Sequence, residues 1–461
     1  MPGSAVPAPN PMAAAPPAEA HAAQVASLAQ DGRGVARAGG KVVFIEGALP
    51  GEVVEFQRWR RKSNFDLANL TRVLHGSSAR VIPRCPHYER CGGCSFQHLD
   101  SHAQVAVKQR VLEDALARIG QVEPDTLLSP IHGPYWGYRQ RARLSVRQVA
   151  RKGGALVGFR ERRAPLVVDM DSCEVLPPRF SALIRPLREL VSELVLGNRI
   201  PQIEVAVGDE AEALTVRVLD PVSDVDAARM RAFSARHAVD IYLQPGGPDS
   251  IYALDAMTAQ PLLYRLPEFD LSLRFEPGDF TQVNFAVNRV LVRRAISLLE
   301  LRGGERVADL FCGLGNFTLA IARRGGVVVG VDGSAELLAR AGENAKANGL
   351  ADQVQLVAAD LFKGAAALLA QLGRFDRMLI DPPRDGAQTL VHALDADGPE
   401  RIVYVSCNPA TLARDAGILV HGKGYRLCAA GVVNMFPHTS HVESIALFVR
   451  QNETGLPKQP R

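Results

Sequence analysis

The spacing of apolar residues changes period along the chain, and each change marks a region. From residue 23 to about 80, short apolar runs alternate with glycine turns at Gly32, Gly34, Gly39 and Gly40. KVVFIEGALPGEVVEF then supplies two strands around a Pro-Gly turn, and so many short strands predict a small β-barrel. Residues 103–119 carry Val105, Val111, Leu112, Ala115, Leu116 and Ile119 near one helical face. RARLSV alternates as a strand, with Arg139, Arg141 and Arg143 expected on a single side. Residues 180–274 mix both periods and predict a central α+β region. From Glu305 onward, buried strands alternate with helices: RVADLFCGLGNFTLAIA, VVVGVD, QVQLVAAD, FDRMLIDPPR and RIVYVSCNP. That alternation predicts an α/β fold with a doubly wound parallel sheet.

Composition narrows the class. At 461 residues the chain is too long for one core, and 47% hydrophobic with 22% charged residues describes a soluble globular protein. No apolar run is long enough to span a bilayer, and no basic, leucine-rich leader is present, so a cytoplasmic protein with no membrane partner is expected. Seven cysteines do not suggest a disulfide framework. The Pro/Ala-rich residues 1–22 and residues 451–461 read as disordered tails.

Charge is distributed unevenly. Between Trp136 and Arg163 lie Arg139, Arg141, Arg143, Arg147, Arg151, Lys152, Arg160, Arg162 and Arg163 against Glu161 alone, a local +8 in a chain of net charge +4. Arg58, Arg60, Arg61, Lys62, Arg72 and Arg80 make the barrel region basic as well. With Tyr135, Trp136 and Tyr138 beside it, the first window predicts a nucleic-acid face, because phosphate contacts release counterions and aromatic rings stack on bases.

Three constellations carry chemistry. Cys407 follows the strand RIVYVS, at the sheet end where open α/β folds bind ligands; it is either a nucleophile or a small buried filler. Gly313 and Gly315 form a tight turn between strand and helix, and Asp332 ends the next strand, where a carboxylate can accept both hydroxyls of a ribose. Cys85, Cys91 and Cys94 cluster at short spacing, with Cys173 the nearest possible fourth. Spacing leaves an iron–sulfur cluster, a Cys/His zinc site using His87 and His98, or no metal open.

LAQDGRGVARAGGKVVFIEGALPGEVVEF resembles a TRAM domain, a small OB-like RNA-binding barrel. DLFCGLGNFT resembles the first motif of Rossmann-like S-adenosylmethionine-dependent methyltransferases, in which Asp360 would approach the adenine end. Together with FTQVN (residues 280–284), DPPR, VYVSCNPATLARD and MFPHTSHVES, these pieces make residues 23–450 resemble the bacterial 23S rRNA (uracil-C5)-methyltransferases of the iron–sulfur, TRAM-bearing RlmD type.

The resemblance implies a barrel over 23–84, a central α+β domain over 85–275 carrying a 4Fe-4S cluster on Cys85, Cys91, Cys94 and Cys173, and a catalytic domain over 276–450. It implies that Gln282, Phe311, Asn316, Asp332, Asp360 and Asp381 line the S-adenosylmethionine site. Cys407 would be the nucleophile and Glu443, ahead of the final strand SIALFV, the general base, with His438 and His441 as alternatives. Uracil C5 is too weak a nucleophile to take a methyl group unaided, so a thiolate must first add at C6. The C5 proton must then be removed before the thiol can leave. The expected partner is 23S ribosomal RNA before or during large-subunit assembly, and the protein is expected to be a monomer. A tRNA, or another 23S uridine, is the alternative substrate.

Overall fold

The computed structural model describes residues 21–451 apart from Thr258 and Ala396. The tails read from the sequence therefore lie almost wholly outside the described residues. His21 and Ala22, counted there as tail, begin the first strand.

The chain separates into two units at Val81/Ile82. The first is a closed five-stranded barrel of β1 (His21–Leu28), β2 (Gly34–Ala38), β3 (Lys41–Glu46), β4 (Val53–Arg61) and β5 (Phe65–His75), in the order β1-β2-β3-β5-β4. Alternation along the strands turns Val43, Ile45, Val54 and Phe56 inward to fill it. β3 and β4 do not pair across the Pro-Gly turn; β5 lies between them, parallel to β3 and antiparallel to β4. A period-two pattern says which face a residue occupies and nothing about which strand is its neighbour. Several of the barrel's basic residues are occupied: Arg80 clasps the buried Glu52, Arg72 pairs with Glu55 and Arg58 with Asp66.

The second unit opens with α1 (Ser101–Ala115), capped by the Asp100 side chain, then β6 (Thr126–Leu127). α1 is shorter than the periodicity predicts, because a π-helical turn over Leu116–Gly120 rotates Ile119 out to solvent. A six-stranded sheet follows in the order β12-β11-β10-β9-β7-β8. Its strands are β7 (Arg141–Val149), β8 (Gly154–Gly158), β9 (Gln202–Val207), β10 (Glu212–Arg217), β11 (Asp240–Gln244) and β12 (Tyr252–Ala253), with α2 (Pro178–Glu193) and α3 (Asp224–His237) between them.

β13 (Leu262–Leu266) and β14 (Leu271–Phe275) form a hairpin whose apolar residues share one core with α4 (Phe285–Leu299). The remaining elements build an eight-stranded sheet: β15 (Arg306–Leu310), α5 (Thr318–Arg323), β16 (Val327–Asp332), α6 (Ala335–Ala347), β17 (Val354–Ala358), α7 (Ala365–Leu372), β18 (Arg377–Ile380), α8 (Gln388–Ala393), β19 (Arg401–Ser406), α9 (Pro409–Gly422), β20 (Tyr425–Val433) and β21 (Glu443–Arg450). Its order is β17-β16-β15-β18-β19-β21-β20-β6. β15 to β19 pair in parallel, and β21 returns antiparallel between β19 and β20. Strand order reverses between β15 and β18, so a cleft opens at their carboxyl ends.

Two segments counted with the central region belong physically to this sheet. β6 pairs with β20, and Leu112 of α1 and Leu116 of the π-helical turn pack in one core with residues of α9 and β20. The hairpin β13–β14 packs in one core with α4 and strands of the eight-stranded sheet, a core that Ala206 of β9 and Ala213 of β10 also join.

Candidate active site

The cleft is a cavity of about 760 Å³, lined chiefly by the residues that follow the strand ends, with the segment before α4 closing one side. After β15 the chain turns sharply through Phe311 (φ +65), Gly313 (φ +55) and Gly315 (φ +96). Phe311 and Cys312 both donate their N–H groups to the Val331 carbonyl. A left-handed phenylalanine costs about 1–2 kcal/mol and persists because those two bonds enforce it. β16 delivers Asp332, whose carboxylate accepts the Gly313 N–H at 2.9 Å and the Ser334 N–H at 2.8 Å. Those bonds fix the carboxylate across the glycine turn and leave further lone pairs facing the cavity.

Asp360 lies two residues past β17, not at its end, where the Phe362 N–H holds its carboxyl below the usual range. Asn316 is not a free amide. It exchanges hydrogen bonds with Asn288 of α4 at 2.9 and 3.0 Å and accepts one from the Tyr264 hydroxyl at 3.0 Å. Neither Asn288 nor Tyr264 stood out in the sequence. Gln282 enters from the segment before α4, beside Thr281, whose buried hydroxyl has no hydrogen-bond partner among the described residues.

β18 ends in Asp381-Pro382-Pro383-Arg384. The prolines stop the ladder, and the Arg384 carbonyl accepts from Asn408 Nδ2 and Thr411 Oγ1, tying this loop to the next strand end. There Cys407 follows β19, between Ser406, whose hydroxyl bridges Asn408, and Asn408, which caps α9. Antiparallel register sets Ser406 opposite Ser444, so the adjoining Cys407 and Glu443 come side by side. Glu443 is the first residue of β21, paired with Val433, and does not lie in a loop ahead of the strand. Thus Gln282, Phe311, Asn316, Asp332, Asp360, Asp381, Cys407 and Glu443 all line the same cavity.

Three acids share its floor. Burial pushes Asp381 up to about 7 and Glu443 up to about 8, and Asp381 raises Glu443 further while Arg384 and Lys108 oppose. Cys407 rises to about 11, through burial first and then the Glu443 and Asp381 charges. An empty pocket of this kind favours protonated acids, and a cation brought into it favours their ionised forms. Of the two histidines, His441 lines the cavity and stands 4.0 Å from Glu443, while His438 stacks on Trp136 outside it. Burial lowers both to about 4, so neither matches proton removal at neutral pH as Glu443 does.

Cys85, Cys91, Cys94 and Cys173 surround a second cavity, of about 130 Å³. Among the described residues no group of three or more His, Cys, Asp or Glu side chains is arranged to hold a metal ion. Four thiols around a void have room for several atoms between them, which suits a polynuclear cluster better than one ion. Burial raises all four, Cys94 to about 12 and Cys173 to about 11, and their charges oppose one another, a conflict that a cationic centre removes. Neither His87 nor His98 lines this cavity, and His98 Nδ1 lies 2.6 Å from the Tyr88 hydroxyl.

Part of the basic window is structural. Arg139 precedes β7, outside the strand, so it does not share a strand face with Arg141 and Arg143. The Arg141 guanidinium donates to the Pro277 carbonyl, Arg143 pairs with Glu204, and Arg162 donates to the Tyr88 and Cys94 carbonyls. Tyr138 is buried with its hydroxyl on the Pro437 carbonyl, and Trp136 faces His438, so neither ring is presented for stacking on a base.

A family model described as tRNA (Uracil-5-)-methyltransferase matches residues 264–451. The chain is 56% identical to the 23S rRNA (uracil(1939)-C(5))-methyltransferase RlmD of Aromatoleum aromaticum, covering 93% of this chain and 99% of that one. It is 56% identical to the same-named protein of Nitrosospira multiformis, over 92% and 97%. Among solved structures it resembles the Pyrococcus abyssi tRNA (uracil-54, C5)-methyltransferase in complex with S-adenosyl-L-homocysteine, with a TM-score of 0.71 and 26% identity over 93% of this chain and 100% of that one.

Proposed function

Because the chain belongs to the RlmD family of 23S rRNA (uracil-C5)-methyltransferases, we propose that Cys407 and Glu443 are the nucleophile and base with which it methylates C5 of the uridine its relatives are named for, position 1939. The protein is an S-adenosylmethionine-dependent methyltransferase. The observation that carries the residue assignment is the β19–β21 register, which sets a thiol and a carboxyl together on the floor of a cofactor-sized cavity.

S-adenosylmethionine supplies the methyl group, carried on a cationic sulfur. Asp332 would hold the ribose hydroxyls and Phe311 and Asp360 would flank the adenine side, while the Asn316–Asn288–Tyr264 network keeps the glycine turn in shape. Asp381 faces the positive charge. Cys407 gives up its proton to solvent and its thiolate adds to uracil C6; the carbanion character this leaves at C5 takes the methyl group as the sulfonium–methyl bond breaks and the neutral thioether departs. Glu443 then takes the C5 proton, and the C6–S bond breaks to restore the double bond and the free thiolate. Of the alternatives read from the sequence, the tRNA substrate is disfavoured by 56% identity to proteins named for 23S rRNA.

The four cysteines would hold the 4Fe-4S cluster, which supplies a rigid joint between Cys173 and the loop of residues 85–94. The barrel would be a TRAM-type RNA-binding accessory, and the exposed arginines Arg147, Arg151 and Arg163 would contact RNA phosphates in their own right. A monomeric state, a cytoplasmic location and action before or during large-subunit assembly complete the proposal. No helix among the described residues is long and apolar enough to cross a membrane. The test is Cys407→Ala: it should bind S-adenosylmethionine with unchanged affinity and transfer no methyl group to 23S rRNA. Retained turnover would defeat the assignment.

A further inference from the structure

The loop between β20 and β21 leads directly into Glu443, yet it is gripped mainly from α1 and the turn before it. Ser95 and Phe96 both donate N–H groups to the His438 carbonyl, at 2.8 and 2.9 Å. Gln104, wholly buried, accepts the His438 N–H at 2.8 Å. His438 sits at φ +64, a geometry that surrounding bonds must enforce in a residue with a side chain. One turn further along α1, Lys108 is 1% exposed. Its ammonium donates to Asn434 Oδ1 and to the Phe436 carbonyl, both at 2.8 Å.

A buried lysine normally sits in a direct ion pair, because its charge is costly away from water. Lys108 makes none among the described residues; burial lowers it to about 7, and the Glu443 carboxylate acts the other way, favouring its charged form. The groups facing Glu443 are Asp381 from the end of β18, Arg384 from the loop after it, Cys407 from β19 and His441 from its own loop. His438 and His441, the cationic candidates beside Lys108, are kept neutral by burial. Arg384 lies on the cavity wall, where substrate arrives; Lys108 lies behind it, on a fixed helix.

The geometry points to Lys108 as a positioning residue for the base step: it pins the loop at Asn434 and Phe436 and sets a positive charge behind Glu443 that favours the ionised carboxylate. This rests on Glu443 being the base. Two substitutions separate the parts, since Lys108→Gln keeps a donor without the charge and Lys108→Met removes both.

The experiment is a quenched single turnover with S-adenosylmethionine and a transcribed 23S rRNA fragment, following the covalent protein–RNA adduct on a denaturing gel from pH 6 to pH 9, with Glu443→Gln alongside. Lys108→Gln should bind S-adenosylmethionine normally, move the acid limb of adduct breakdown up by about one pH unit and slow breakdown about tenfold at pH 7. Lys108→Met should be slower still at every pH. Wild-type profiles in both variants overturn the proposal, and so does loss of cofactor binding in both, which would make Lys108 a folding residue. Unchanged breakdown in Glu443→Gln would instead refute the base assignment on which the proposal rests.

Discussion

If Glu443 removes the C5 proton, the rate of that step must follow the ionisation of a buried carboxyl. Burial raises Glu443 to about 8. A group titrating there is about one-tenth ionised at pH 7 and about nine-tenths at pH 9, and only the ionised form accepts a proton. Adduct breakdown should therefore fall as pH drops through 8 and level off above 9, a rise of about tenfold between pH 7 and pH 9. The positive charge that the cofactor brings is gone once the methyl group has left it, so this step runs at the pocket's own charge. Glu443→Gln preserves shape but cannot accept the proton, and loss of a positioned base costs about 10²–10⁴-fold. The assay is rapid quench of a single turnover, with the adduct resolved under denaturing conditions. A pH-independent breakdown in the wild-type protein, or no accumulation of adduct in the variant, would refute the reasoning.

Asp332→Ala removes the carboxylate we assign to the two ribose hydroxyls; hydrogen bonds to a charge contribute about 1.5–3 kcal/mol each, so S-adenosylmethionine affinity by calorimetry should fall at least tenfold. Asn288→Ala strips Asn316 of two bonds inside the cofactor wall. It should lower stability by about 1–3 kcal/mol in denaturant melts and weaken cofactor binding, leaving iron content unchanged. Cys91→Ala should lose its iron by elemental analysis and unfold at lower temperature, since the following residues Ser95 and Phe96 hold the catalytic loop. An iron-free Cys91→Ala protein with wild-type melting and turnover would show that the joint is dispensable.

The parallel sheet was legible because β15, β16, β18 and β19 are buried on both faces, and three of them close on a residue with chemistry: Asp332, Asp381 or Cys407. Local patterning was enough to place all three at one edge. The pairing of Cys407 with Glu443 was not legible, because it depends on β21 inserting antiparallel between β19 and β20, a non-local choice. Lys108 and Gln104 escaped for a different reason. In a helix pattern a lysine or glutamine marks the solvent face, whereas here both are buried beneath a loop about 330 residues later in the chain. The aromatics Trp136 and Tyr138 misled in the opposite sense, since their position beside arginines suits RNA stacking but their rings are engaged with the 437–438 turn. The four cysteines could be grouped by number alone, while their gathering around one cavity depends on a fold that brings Cys173 back to the 85–94 loop.

The central claim is that Cys407 becomes covalently joined to uracil C6. Fluorine at C5 cannot be removed as a proton can, so RNA carrying 5-fluorouridine at the target position should stop the reaction at the methylated adduct. Mass spectrometry of the digested, denatured complex measures this directly. The account predicts that, with S-adenosylmethionine present, the peptide containing Cys407 carries the methylated fluorouridine nucleotide in near-stoichiometric yield. An adduct on Cys312, the other thiol lining the cavity, or no adduct from an enzyme that methylates ordinary RNA at full rate, would contradict it.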